Sequence, residues 1–153
     1  MPSKDKIDAA IPILSEAWQG LEVTVRHTRK VGFEGSYPAI VIQVVSRDEI
    51  DFVHGMENFE GVYCPDCGSE IDFDWWGEAM DKSSAGKFRN LTIEVPCCGR
   101  TTNLNELRYE FPAGFARFSL SVHSPNIQGF SSGILDRIAV ALGCKIRQVW
   151  EHL

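Results

Sequence analysis

Apolar residues near the start of the chain recur at helical spacing: Ile7, Ala10, Ile11, Leu14, Ala17 and Trp18 share one face. Asp8 offers an N-cap and Gly20 a stop, while Pro12 is tolerated only near a first turn. The pattern therefore predicts a helix over about residues 9–19. The period then changes to two. Leu21, Val23, Val25 and His27 alternate with Glu22, Thr24, Arg26 and Thr28, which predicts a half-buried strand with His27 on its apolar side, partly buried and hydrogen-bonded. From Tyr37 to Val45 the chain is nearly continuously apolar, as in a strand covered on both faces. Residues 46–60 are polar and acidic and read as a connection.

Beyond residue 104 the simple periods return. Glu106–Phe111 and Phe115–His123 read as strands around the turn signal Pro112-Ala113-Gly114. Ser131 or Ser132 caps a predicted helix carrying Ile134, Leu135, Ile138, Ala139 and Leu142, stopped at Gly143. The tail supports two readings. Ile138–Cys144 with Val149 resembles part of a helix-turn-helix, whereas a closing strand beside Phe115–His123 would complete a β-α-β unit and is preferred. The economical layer solution is an α+β fold: a small mixed or antiparallel sheet with two helices on one face. The length, 153 residues, is that of one domain, with residues 61–104 read as an insertion.

That insertion holds four of the five cysteines. It contains two short β-like pieces, Glu70–Trp76 and Asn90–Val95, and a loop of small residues from Gly77 to Lys87. Trp75 and Trp76 would face opposite ways in the first piece, one inward and one outward. Cys64-Pro65-Asp66-Cys67-Gly68 sets two thiolates three residues apart on a turn closed by glycine, a spacing that can aim both at one tetrahedral ion. Here the segment resembles a zinc ribbon, in which two such knuckles grip one zinc. The second knuckle would be Pro96-Cys97-Cys98-Gly99. Aligned on Pro and Gly, Cys98 takes the place of the usual second cysteine, while Val95 stands where the first would be and Cys97 is displaced by two positions. The resemblance implies a structural Zn²⁺ held by Cys64, Cys67, Cys97 and Cys98. His54, His123 and Cys144 are the substitutes for Cys97, although a surface position for His123 and a buried apolar one for Cys144 are the expected roles.

Other chemistries lack their residues. Cys64-Pro65-Asp66-Cys67 is similar to a thioredoxin-type motif, but that chemistry needs a cysteine at a helix start, and the residues that follow alternate like a strand. His54-Gly55-Met56-Glu57 does not match the His-x-Glu of a zinc deaminase. H-E-x-x-H and phosphate-cradling glycine loops are missing as well. A closed four-thiolate site and no catalytic constellation point to a non-enzymatic protein. The lack of a signal peptide or a long apolar run points to a cytoplasmic one without a membrane partner.

Charge adds a partner class. Of a net −6, the stretch from Asp48 to Asp81 carries eleven acids and no lysine or arginine. Such a run is a solvated face or a docking surface for a basic partner, and it repels a phosphate backbone. The functional expectation is a protein-interaction module, an adaptor or a toxin-neutralising immunity protein. The alternative is a nucleic-acid-binding regulator using the ribbon and a C-terminal helix-turn-helix, with Arg89, Arg100, Lys145 and Arg147 as contacts.

Overall fold

The computed structural model describes residues 1–18, 23–29, 40–55, 60–123 and 130–149. Gly20, Leu21, the start of the second strand at Tyr37 and the end of the chain from Trp150 lie outside the described residues. In chain order the elements are α1 (Lys4–Ser15, followed by a 3-10 turn Glu16–Trp18), β1 (Val23–Thr28), β2 (Ile40–Val53) and β3 (Val62–Tyr63). There follow α2 (Phe73–Ala85), β4 (Thr92–Glu94), β5 (Thr101–Asn103), β6 (Arg108–Tyr109), β7 (Gly114–His123) and α3 (Ser132–Leu142). The fold is α+β, with three helices among the described residues rather than two. Two compact units form: residues 1–47 with 117–146, and residues 48–116 with 147–153.

The first unit is a three-stranded mixed sheet, in the order β1-β2-β7, with helices. β1 runs parallel to β2, pairing Val23 with Ile40 through Thr28 with Val45. Gln43 bonds His123 and Arg47 bonds Ser119, so β7 retreats four residues as β2 advances four and the pair is antiparallel. Six successive residues, Ile40–Val45, are buried, as expected for a strand covered on both faces. Ile40, Ile42 and Val44 pack with Ile7, Ala10, Leu14 and Trp18 and with Ile138 and Leu142 of α3. α3 matches its prediction. The Ser131 hydroxyl accepts from the Ile134 N–H, and Gly143 closes the helix at φ 71°, a left-handed position that glycine adopts without strain.

α1 begins at Lys4 rather than near residue 9, so Asp8 is no cap; it forms an i,i+4 ion pair with Lys4 at 2.8 Å. Pro12 therefore sits inside the helix. Both Pro12 and Asp8 are exposed, so the bond that Pro12 cannot donate faces solvent, where its loss costs least. His27 is exposed on the edge strand β1, not half-buried as its alternation suggested. β2 continues to Val53, so residues 46–53 are strand and not connection. Ile50 and Phe52 are half-buried there while Asp48, Glu49 and Asp51 are exposed.

The second unit has its own core: Val62, Cys64, Ile71, Val95, Leu104, Leu107, Tyr109 and Ala113. Its strands are short. β3 pairs antiparallel with β6, where Arg108 lies over the Tyr63 ring at 5.2 Å, and β4 pairs antiparallel with β5. Pro112-Ala113-Gly114 is thus not a hairpin between neighbours, because β6 joins β3 while β7 joins β2. The largest correction is α2, which replaces the expected strand Glu70–Trp76 and the loop after it. The Asp72 carboxylate accepts from the Asp74 and Trp75 N–H groups at 2.9 and 3.1 Å and starts the helix. Trp75, Trp76, Ala79 and Met80 then all pack on the second core, so the tryptophans are both half-buried rather than one in and one out.

Residues 145–149 are neither strand nor helix, which removes both readings of the tail over these residues. Arg147 anchors them. Its guanidinium donates to the Ala113 carbonyl and, at 3.2–3.3 Å, to the Asn105 side chain and carbonyl.

Candidate metal centre

Two matching turns build the site. In the first, the Cys64 N–H donates to the Ser69 carbonyl (2.9 Å) and the Gly68 N–H to the Cys64 carbonyl (3.0 Å). In the second, the Val95 N–H donates to the Arg100 carbonyl (3.0 Å) and the Gly99 N–H to the Val95 carbonyl (2.9 Å). Gly68 and Gly99 adopt φ 75° and 69°, the left-handed conformation that lets each turn reverse so tightly. Each turn caps a short antiparallel ladder: Tyr63 bridging Glu70 in one case, and β4 with β5 in the other.

The hydrogen bonds make Val95 the counterpart of Cys64, Cys98 that of Cys67, and Cys97 that of Asp66. Cys64 and Val95 are both fully buried. The second turn has therefore placed an apolar residue at the first position and moved its thiol to the tip. Even so, all four sulfurs of Cys64, Cys67, Cys97 and Cys98 lie within 4.8 Å of one another. Cys64 Sγ is 3.8 Å from Cys98 Sγ, and Cys67 Sγ is 3.3 Å from Cys97 Sγ. Sulfurs about 2.3 Å from a tetrahedral ion are about 3.8 Å apart, so the cluster has the dimensions of a four-thiolate metal site.

Electrostatics agree with the donor set. The Ser69 hydroxyl and backbone N–H, helped by the Cys97 thiol, draw Cys67 down to about 6. Cys97 is pushed up to about 12, first by its bond to Cys67 and then by burial. At Cys98 the Arg100 N–H pulls downward, but burial and the neighbouring sulfurs outweigh it and the thiol is raised. One sulfur in the cluster ionises readily and then holds back its neighbours; a divalent cation at the centre would let all four ionise together.

The remaining candidates sit elsewhere. Among the described residues the four-cysteine group is the one cluster suited to a metal, and it contains no histidine. His123 Nε2 is 3.1 Å from Gln43 Oε1, half-buried rather than on the surface, and His54 stacks on Phe52 at 5.1 Å. Cys144 is exposed instead of buried. Arg100 lies 3.7 Å from Asp66 at the turn tips, whereas Lys87 pairs with Glu49. Ser69 was the residue that cysteine spacing missed. The signal was the repeated Pro-x-Cys-Gly-x, which puts Ser69 and Arg100 at equivalent places. The thioredoxin-type comparison fails for a different reason from the one the sequence suggested: a helix does follow, but it starts at Phe73, well past Cys64.

Comparison with protein-family models, with curated proteins and with solved structures returned no match. Among the described residues, no helix is long and apolar enough to cross a membrane.

Proposed function

We propose that this protein is a non-enzymatic interaction module scaffolded by one structural Zn²⁺, bound by Cys64, Cys67, Cys97 and Cys98. The observation that carries the reading is the convergence of four sulfurs within 4.8 Å from two turns of matching hydrogen bonding. Four thiolates fill a tetrahedral zinc and leave no position for substrate, so the ion holds structure. On this reading residues 61–104 act as a metal-dependent insertion in an α+β chain. The bound site would carry a net −2, beside acids that are already exposed.

α2 and its approach support a basic partner. Glu70, Asp72, Asp74, Glu78 and Asp81 are exposed, and Phe73 is 43% exposed among them. Glu70 to Asp74 line an open concavity. Carboxylates around an aromatic side chain suit a basic protein surface, as a cytoplasmic adaptor or a toxin-neutralising immunity protein would meet. Nucleic-acid binding is the rival reading, but its C-terminal helix is missing over residues 145–149 and Arg147 is engaged internally.

Two measurements test this. Metal analysis of protein purified without added zinc should give one zinc per chain; a metal-free preparation with a Cys64–Cys67 disulfide would overturn the zinc scaffold. Affinity capture should recover a basic protein whose association slows and loses salt dependence when Asp74, Glu78 and Asp81 are neutralised together. Asp72 is left intact because it caps α2. On-rates unchanged by that variant at every ionic strength would return the acids to a solvated face, and salt-dependent retention on mixed DNA or RNA would promote the rival.

A further inference from the structure

Cys64 is fully buried, whereas Cys67, Cys97 and Cys98 are exposed. A water-borne oxidant therefore meets three sulfurs and not the fourth. Among the exposed three, Cys97 and Cys98 are adjacent in sequence, with Cα atoms about 3.8 Å apart. That is below the roughly 4.4 Å at which disulfides become unstrained, so this pair is a poor bridge. Cys67 and Cys97 come from different turns, and their sulfurs are 3.3 Å apart, closer than the 3.8 Å between Cys64 and Cys98. Both members of this closely approached pair are exposed, whereas the Cys64–Cys98 pair has one buried member.

We propose that Cys67 and Cys97 form an oxidation site through which hydroperoxides open the metal centre, an inference that rests on the zinc reading above. Thiolate is both the form that binds zinc and the form that attacks peroxides. The Cys67 thiolate attacks the hydroperoxide; an S–O bond forms, the O–O bond breaks and an alkoxide (hydroxide, from hydrogen peroxide) departs. The Cys97 thiolate then attacks the resulting sulfenic sulfur, forming the disulfide and expelling hydroxide. The two sulfurs together lose two electrons, the hydroperoxide gains them, and solvent protonates both leaving groups. Zinc stays Zn²⁺ but keeps only Cys64 and Cys98 as ligands, and two thiolates do not retain it. A thiol or phosphine reductant returns both sulfurs to the site.

The test uses the full-length zinc-loaded chain, hydrogen peroxide, a chromogenic zinc chelator and peptide mass mapping. The expected result is one zinc released per disulfide, the disulfide joining Cys67 to Cys97, and recovery on adding a phosphine with zinc. Cys144→Ser removes the exposed thiol outside the cluster, and this variant should release zinc at the same rate. Zinc retained while only Cys144 is oxidised, or a disulfide made through Cys64, would overturn the proposal. Zinc content is measured before oxidant is added. No zinc at that point overturns the scaffold and this proposal together, whereas full zinc with no release overturns the oxidation site alone.

Discussion

The two units solve the same problem with different means. The first buries Ile7, Ala10, Leu14, Trp18, Ile40, Ile42, Val44, Ile138 and Leu142 between regular elements. Its sheet takes residues 40–47 of β2 and 117–123 of β7, and its helices have twelve and eleven residues. The second unit holds the remaining ends of those two strands, and the ladders that lie wholly within it are of two and three residues, which hold little by themselves. Its core includes Cys64, and its two turns are fixed at their tips by sulfur. A unit of long strands can rely on apolar burial. One of short strands gains most from a cross-link, which a metal ion held by the four sulfurs would supply for the few residues it touches.

The largest effect that separates the units is metal removal. Structural zinc contributes an apparent binding energy of roughly 10–16 kcal/mol in small peptides, coupled to folding. Stripping the ion, or making Cys64→Ser, Cys67→Ser or Cys98→Ser, should expose amides between residues 61 and 104 to rapid exchange while β2 around Ile42 and helix α3 stay protected. Hydrogen exchange read by mass spectrometry checks this. Equal loss of protection in both units would dissolve the contrast. Cys97→Ser should also lose the metal; retention would leave the displaced thiol outside the ligand set.

Truncation in the two cores comes next. Ile42 and Leu104 are both fully buried, one in each unit. Ile42→Ala and Leu104→Ala should each cost about 2–5 kcal/mol. In the zinc-loaded protein, Ile42→Ala should lower the denaturation midpoint of the first unit. Leu104→Ala should chiefly raise the dissociation constant for zinc, because unfolding there is linked to metal. Chemical denaturation with and without excess zinc distinguishes them. A midpoint for Leu104→Ala that ignores zinc would break the linkage.

This contrast also explains what was legible in the sequence. α3 is readable because its apolar residues keep the helical period, as in Ile134, Ile138 and Leu142, and the start of β2 because Ile40 to Val45 is one buried run, whereas the alternation in β1 misplaces His27. The start of α1 is obscured by Pro12, which signals a first turn, although an exposed proline within a helix costs less than a buried one. In the second unit the cysteines carried the signal, since spacing and glycine at Gly68 and Gly99 do not depend on period. α2 was missed because Ile71, Phe73 and Trp75 alternate with Asp72 and Asp74 by coincidence, while Asp72 is in fact the cap. The far end of β2 is hidden in the sequence because its acids resemble a loop, although Glu49 and Asp51 share one exposed strand face and Asp48 is exposed on the other. The pairing of β6 with β3 was not readable at all, since it joins residues far apart in sequence.

Helix caps give a smaller comparison. Asp72 receives two backbone N–H groups and Ser131 one. Replacement by Ala should cost about 1 kcal/mol in either case, within a range of roughly 0.5–2. Asp72→Ala should lie toward the upper end because two donors lose their acceptor. Local exchange at Asp74 and Trp75, against that at Ile134, measures the two ends separately. A larger penalty for Ser131→Ala would mean that the first unit depends on its helix start more than its apolar core suggests.

The smallest effect belongs to Glu16 and Arg137, which join the end of α1 to α3 within the first unit through two bonds of 2.6 and 2.8 Å. The guanidinium of Arg137 donates to Glu16 and holds its carboxyl below the usual 4.5, against a weaker opposing push from burial. Because the folded value is the lower one, the pair adds stability above the unfolded glutamate range. That contribution disappears as pH falls through the folded value and the carboxylate is protonated. Both side chains are about half exposed, at 41% and 54%, so solvent and salt screen the attraction and the contribution is small. Denaturation midpoints of wild type and Glu16→Gln should differ at neutral pH, converge on acidification, and lie closer together in high salt. A gap that persists with Glu16 protonated would assign the effect to packing of the side chain on α3 and not to its charge.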